Sequence, residues 1–284
     1  MHHPIVRRWT AAGYPAVMGT GIVSVAISVD GHELISRVLF AAAAVLYVAL
    51  ARHFRATPAA VAATAVLGAR ATLLGWDTVA FVLLGVAVAI WVLQLRDARE
   101  VLQLVTGSSF MPAVATESIA VLAALQHRPA LVAASLVPWA LGLLLYVRAA
   151  ARFELRQLAH GDGDQWIAGG ALAISTLATA WIARDSQTLH ATFGAAALVL
   201  WAIAMAWLVA LVVAEIRNPR LRHDVRRWST VFPVGMYAAC SFATAHAEGV
   251  HAIGDFARGW AWVALATWLV VAARQSARPA RSTQ

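Results

Sequence analysis

The chain has 284 residues, of which 61% are hydrophobic and only 13% are charged. Soluble globular proteins are about half apolar and about a quarter charged, so this composition excludes an ordinary soluble fold. All 22 basic residues are arginines that lie between apolar segments and form no single basic stripe, so the net charge of +8 does not indicate nucleic-acid binding.

Ten apolar segments follow one another along the chain, each near the length of about 20 residues that a transmembrane helix needs. They lie near residues 13–29, 34–51, 57–74, 77–95, 108–126, 130–149, 165–183, 190–214, 227–246 and 254–273. The third segment is rich in alanine and ends near Arg70, so it could instead lie at the interface and leave nine spans. The first follows Arg7 and Arg8, and we expect a retained span there and not a cleaved signal peptide.

The arginines distinguish between nine and ten spans. With ten spans and a cytoplasmic N-terminus, the cytoplasmic side holds Arg7, Arg8, Arg52, Arg55, Arg96, Arg99, Arg148, Arg152, Arg156, Arg217, Arg220, Arg222, Arg226, Arg227, Arg274, Arg278 and Arg281. The other side holds Arg37, Arg70, Arg128, Arg184 and Arg258. This bias follows the positive-inside rule, which nine spans would violate at residues 217–227. The sequence predicts a single transmembrane domain, 1–284, in the plasma (inner) membrane with both termini in the cytoplasm.

The odd-numbered segments share a pattern of small residues. Pro15, Pro112 and Pro233 each follow a bulky residue and precede small or hydroxylated ones, whereas branched and aromatic residues dominate the even-numbered segments. Proline bends a helix inside it but is tolerated at its start, so the three prolines are either kinks or helix starts, and Pro233 is the best kink candidate. Small residues allow close helix packing. We therefore expect odd helices in an inner, polar-lined ring and even helices facing lipid.

Stretches on all five odd segments resemble one family. They are Tyr14-Pro-Ala-Val-Met-Gly-Thr-Gly-Ile22, Val66-Leu-Gly68, Val114-Ala-Thr-Glu-Ser-Ile119, Trp166-Ile167 with Gly170-Ala-Leu-Ala-Ile-Ser-Thr-Leu177, and Trp228-Ser-Thr-Val-Phe-Pro-Val-Gly235. Together they resemble the tellurite-resistance/dicarboxylate transporter family, which is related to plant guard-cell slow anion channels and to yeast malate and sulfite permeases. The five stretches occur in order and cover most of the chain.

The resemblance implies an all-α integral membrane fold of ten helices in five helical hairpins around a central pore. It also implies a homotrimer in which each protomer has its own pore, with anions as the cargo. In the family a phenylalanine of the ninth helix blocks the pore midway, and Phe232 is the matching residue. The alternative for Phe232 is an ordinary core aromatic residue.

The predicted pore chemistry depends on hydroxyl groups, because no arginine lies at mid-membrane depth in the ten segments. The candidate pore-lining hydroxyls are Thr20, Thr64, Thr116, Ser118, Ser175, Thr176 and Thr179. Hydroxyls stabilise an anion without trapping it, which suits conduction. The alternative is that each hydroxyl bonds back to its own helix.

Glu117, also a predicted pore-lining residue, is the only acidic residue well inside a predicted span. An intramembrane ionisable group is a functional candidate, and burial favours its neutral form. We expect either that Glu117 couples anion movement to protons or that it is a structural carboxyl bonded to neighbouring hydroxyls.

The second functional class is a polytopic membrane enzyme or a haem-binding redox protein. The histidines fall at the ends of segments and in loops, and no paired acidic motif marks a loop, so this class has less support. We expect no enzyme activity, no cofactor and no metal. The predicted partners are the lipid bilayer and small inorganic anions or C4-dicarboxylates, such as chloride, nitrate, sulfite or tellurite.

Overall fold

The structure, a computed structural model, describes residues 4–95, 105–160, 163–186, 188–219 and 225–277, without the side chains of residues 4–12, 160 and 225. Arg96, Arg99, Arg220, Arg222, Arg278 and Arg281, and the side chains of Arg7 and Arg8, lie outside the described residues. Within the described part of the chain the secondary structure is helical, with no strand.

Ten helices occupy the predicted apolar segments within the described ranges. They are α1 (Pro4–Val29), α2 (Glu33–Leu50), α3 (Pro58–Leu73), α4 (Asp77–Gln94), α5 (Met111–Ala124), α6 (Pro129–Ala150), α7 (Trp166–Asp185), α8 (His190–Arg217), α9 (Trp228–Glu248) and α10 (His251–Ala277). Short helical turns cover Ala51–His53, Gly107–Phe110, Gln157–His160 and Val225–Arg227.

Seven helical stretches among the described residues are long and apolar enough to cross a membrane. They are Glu33–His53, Asp77–Gln94, Gly107–Ala124, Pro129–Ala150, Trp166–Asp185, His190–Arg217 and His251–Ala277. Gly13–Val29 and Pro58–Leu73 are apolar but shorter. The chain is thus a multi-pass membrane protein whose described residues form helices and their connections.

The odd-numbered helices contact one another in a closed ring. Helix α1 packs against α3 and α9, α3 packs against α5, α5 against α7, and α7 against α9. Each even-numbered helix packs on the odd-numbered helix that precedes it in the chain. Each inner helix and the outer helix that follows it therefore form a packed pair.

Burial separates the two sets of helices. Of the 18 most apolar consecutive residues, 89% are buried in Gly107–Ala124, which includes α5, and 94% are buried in α7. In the five even-numbered helices only 22–28% of the corresponding residues are buried. Residues 60–71 of α3 and 230–242 of α9 are also buried without a break. Helices buried on all sides have no amphipathic face, so small residues and not a hydrophobic stripe mark them in the sequence.

The three prolines have different roles from one another. Pro112 is the second residue of α5, so it starts this helix and does not kink it, which corrects the kink assignment. In α1 the helical conformation is interrupted at Gly13 (φ 63°), two residues before Pro15, so Pro15 lies at the start of the continuous inner part. Pro233 lies inside α9.

Arg70, which the topology count placed on the non-cytoplasmic side, has its side chain inside the helix bundle. It lies within α3 and is fully buried, and its Nη2 donates to Glu33 Oε1 at 2.7 Å. Its Nε donates to Ser36 Oγ at 2.8 Å. Both partners belong to the start of α2, so Arg70 ties α2 to α3 near the end of the bundle where α3 finishes.

Candidate functional site

A cavity opens at the end of the bundle where the five inner helices finish. Its volume is about 160 Å³, and all five inner helices line it. Its mouth lies at Val29, Leu73, Leu125, Arg184 and His246, which are near the last residues of their helices. Most of the lining is apolar, and its hydrogen-bonding side chains are those of Ser118, Trp181, Arg184 and His246.

Phe232 lies beyond the inner end of this cavity. On α9 the cavity is lined by Met236, Ala239, Ala243 and His246, which recur at intervals of three and four residues and so share one helix face. Phe232 is four residues before Met236, so it continues this face one turn deeper. Its side chain is 2% exposed and packs in the core.

Two glycines bring the inner helices together near the inner end of the cavity. A Cβ atom on Gly21 of α1 would lie 2.6 Å from Val66 Cγ1 of α3. A Cβ atom on Gly235 of α9 would lie 2.7 Å from Ile22 Cγ2 of α1. Ile22 and Val66 themselves line the cavity. The glycines therefore set how closely the side chains approach the axis, as small residues do between transmembrane helices.

Four of the predicted pore-lining hydroxyls contact the outer helices. Each binds an aromatic side chain of the even-numbered neighbour: Thr20 with Trp268 at 2.9 Å, Thr64 with Tyr47 at 2.6 Å, Thr116 with Trp91 at 2.9 Å, and Thr179 with Trp139 at 2.8 Å. Ser241, which sequence reasoning missed, completes the set with Trp201 at 2.8 Å. We call these five contacts the aromatic–hydroxyl contacts. Every inner helix has one.

At most of these positions the hydroxyl hydrogen is donated to a backbone carbonyl of the same helix and is not available to an anion. Thr64, Thr116 and Thr179 each donate to the backbone carbonyl four residues earlier, at 2.8, 2.8 and 2.7 Å. Thr176 donates to Leu172 O at 2.9 Å in the same way. Of the eight predicted pore-lining residues, Ser118 lines the cavity, whereas Thr20, Thr64, Thr116, Glu117, Ser175, Thr176 and Thr179 do not.

Glu117 is a residue of α5, and its side chain contacts α6 and α7. Its side chain is fully buried, and Ser175 Oγ donates to its Oε1 at 2.9 Å. Among the described residues its Oε2 has no hydrogen-bond partner. A Cβ atom on Gly142 of α6 would lie 2.5 Å from Glu117 Cγ, so the glycine makes room for the carboxyl group on the side of the outer helix.

The mouth of the cavity has two basic side chains, those of Arg184 and His246. The Arg184 guanidinium lies over the Trp181 ring, 4.9 Å from its centroid, and is exposed. His246 Nδ1 donates to Phe242 O at 2.8 Å, which leaves Nε2 as its second ring nitrogen. From the sequence, Arg184 could be used only to infer topology. The sequence does not show that five helices end around this residue.

Comparison with known proteins identifies the family. The sequence model of a family described as voltage-dependent anion channel matches residues 53–275. The chain belongs to this family. The voltage-dependent anion channel family is the one that the resemblance of the odd segments indicated, and the match covers eight of the ten helices, α3 to α10.

Curated relatives of this family member include uncharacterized membrane proteins of Mycobacterium tuberculosis strains CDC 1551 / Oshkosh and ATCC 25618 / H37Rv. Each is 36% identical over 119 residues, which cover 37% of this chain and 58% of the relative. The chain thus spans just over half the length of these relatives.

Proposed function

We propose that the chain is an anion channel or transporter in which small anions move along the axis of the inner ring. The observation that carries this proposal is the cavity to which all five inner helices contribute. All ten helices would cross the bilayer, since α1, α3 and α9 are short or less apolar but the described side chains of these helices are mostly buried behind the outer helices. The arginine distribution supports cytoplasmic termini.

Phe232 is the proposed gate. It continues the cavity-lining face of α9 one turn deeper than Met236, and its ring is buried in the core. A bulky apolar side chain at this level would keep the path dry, and apolar constrictions gate by excluding water. Anion passage then requires that the Phe232 ring moves away from the axis.

The apolar lining favours small monovalent anions over C4-dicarboxylates. An ion that enters loses part of its hydration, and few groups along the wall replace it: Ser118 deep inside, Arg184 and His246 at the mouth. A dianion loses more hydration free energy than a monovalent anion of similar size. Nitrate and chloride therefore fit better than sulfite or a dicarboxylate.

Anion flux into liposomes tests this proposal. We expect anion-selective flux from the purified protein and faster flux from Phe232→Ala. Phe110→Ala is the matched control, because Phe110 is equally buried but packs against Tyr146 and Phe153 away from the cavity. Absence of flux in both the wild type and Phe232→Ala, with each variant folded, would overturn the proposal.

Proton coupling through Glu117 is a second proposal, supported by its burial and by its unpaired Oε2 among the described residues. In this scheme the carboxyl binds a proton during transport and releases it afterwards. Glu117→Gln keeps the shape and removes the titration, so the flux of this variant should lose its pH dependence. An unchanged pH dependence would leave Glu117 a structural carboxyl that binds Ser175.

The proposed assembly is a homotrimer with one pore in each protomer. This follows from the family resemblance and not from a contact in the single chain. The mass of the detergent-solubilised protein tests it.

A further inference from the structure

We propose that a groove between α9 and α10 binds an anionic phospholipid. The groove has a volume of about 420 Å³ and lies at the end of the bundle where α9 begins and α10 finishes. This is the end opposite to the cavity mouth, and the arginine distribution places it on the cytoplasmic side. The site is separate from the proposed anion path.

Two arginines stand at the polar end of the groove. Arg227 is next to the start of α9 and Arg274 is near the end of α10, so the antiparallel packing of these helices brings both to one end. Arg227 Nη1 donates to Glu215 Oε1 at 2.8 Å. Each guanidinium has five N–H donors in a planar fork, which suits the bidentate binding of a phosphate group.

Thr230 supplies a buried hydroxyl in the same groove. Its side chain lines the groove and the residue is only 8% exposed. Among the described residues, Thr230 Oγ1 has no hydrogen-bond partner. An unpaired buried hydroxyl costs free energy, so a ligand that accepts or donates at this oxygen would recover that cost. A phosphodiester or glycerol oxygen of a headgroup is such a partner.

The rest of the groove is apolar except for Thr267, whose hydroxyl donates to Val263 O at 2.8 Å, and it faces the outside of the bundle. Val263 and Val270 line it and are 43% and 52% exposed, on the outer side of α10. The surface there is therefore in contact with acyl chains of the bilayer, and the arginines lie at the depth of headgroups. The combination of an acyl-chain surface and a cationic end fits a whole lipid and not a free anion. Anionic lipids are attracted to basic sites at the cytoplasmic face.

Native mass spectrometry of the protein in mixed micelles tests the proposal with two probes, phosphatidylglycerol and phosphatidylcholine. We expect bound phosphatidylglycerol and little phosphatidylcholine, with phosphatidylglycerol binding weakened about tenfold by Arg274→Gln, since a hydrogen bond to a charged group is lost. Arg258→Gln is the matched control, because Arg258 is an exposed arginine of α10 at its other end, paired with Asp255. This control should bind phosphatidylglycerol as the wild type does.

Thr230→Val separates a ligand role from a structural one. Removing an unsatisfied hydroxyl should raise thermal stability in phosphatidylcholine, and in this proposal it also weakens phosphatidylglycerol binding. If Thr230→Val and Arg274→Gln bind phosphatidylglycerol as the wild type does, the proposal is wrong. It is also overturned if inorganic phosphate competes with the lipid at equal concentration, or if Arg274→Gln changes the oligomeric mass without changing lipid binding.

Discussion

The indole nitrogen of Trp201 in α8 donates a hydrogen bond to Ser241 Oγ in α9 at 2.8 Å. Ser241 Oγ in turn donates to Tyr237 O, four residues earlier in its own helix, at 2.7 Å. One hydroxyl therefore links an outer helix to the backbone of an inner helix. The other four inner helices have an equivalent contact, with tyrosine in place of tryptophan at Tyr47.

Trp201→Phe should lower stability, because it removes the indole donor while keeping an aromatic ring. Hydrogen bonds between transmembrane helices average about 0.6 kcal/mol in double-mutant cycles, and we expect a coupling of this size between Trp201→Phe and Ser241→Ala. Unfolding in mixed micelles measures it. Trp262→Phe is the control, since Trp262 is 43% exposed. A coupling of zero would contradict a stabilising role for the contact.

Arg70→Gln should destabilise the protein far more than Arg37→Gln. Both arginines bind Glu33 Oε1, Arg70 at 2.7 Å from a fully buried position and Arg37 at 2.9 Å with a side chain that is 65% exposed. An exposed pair is worth about 0–1 kcal/mol and breaking a fully buried pair costs about 3–5 kcal/mol, and since the Glu33 side chain is itself 40% exposed, the loss for Arg70→Gln should fall between these two ranges. The free energy of unfolding of the two variants measures the difference. Equal losses would mean that burial of Arg70 adds nothing.

Gly142→Ala should destabilise the protein, because its new Cβ atom would lie 2.5 Å from Glu117 Cγ and would displace a buried carboxyl. The matched substitution is Gly85→Ala in α4, where a Cβ atom meets nothing within 4 Å. Alanine is favoured over glycine inside a helix by about 1 kcal/mol, so this variant should be at least as stable as the wild type. Thermal unfolding of both variants should shift in opposite directions, and shifts of the same sign would refute the packing argument.

Ala243→Cys should react with a charged, water-soluble thiol reagent, and the modified protein should pass fewer anions. Ala243 lines the cavity near its mouth, so the reagent reaches it from the water. The native Cys240 is fully buried and should stay unmodified in the folded protein, which makes the wild type the control. A Cys240→Ala background removes any remaining ambiguity. Modification without loss of flux would show that anions do not pass through the cavity.

The positions of the helices were predictable because each apolar run must be long enough to satisfy its backbone inside a bilayer. The division into inner and outer helices was visible in small residues such as Gly21 and Gly235. Their physical reason is the short distance to Ile22 and Val66, which leaves no room for a Cβ atom.

The direction of the hydroxyl groups was not predictable from residue type. The residue type does not show whether a hydroxyl in a buried helix faces the axis or an outer helix. Thr116 binds Trp91 of an outer helix, whereas Ser118, two residues later, lines the cavity. The pairing of Arg70 with Glu33 was missed for a similar reason. The two residues are 37 positions apart, and only the packing of α2 on α3 brings them together.

The aromatic–hydroxyl contacts have a mechanical consequence. Each inner helix is joined by a side-chain hydrogen bond to the outer helix of the neighbouring pair, so an inner helix that moves sideways must either break this bond or move together with the outer helix. The outer layer meets the lipid. The contacts are therefore five separate links between the two layers, spread around the whole circumference.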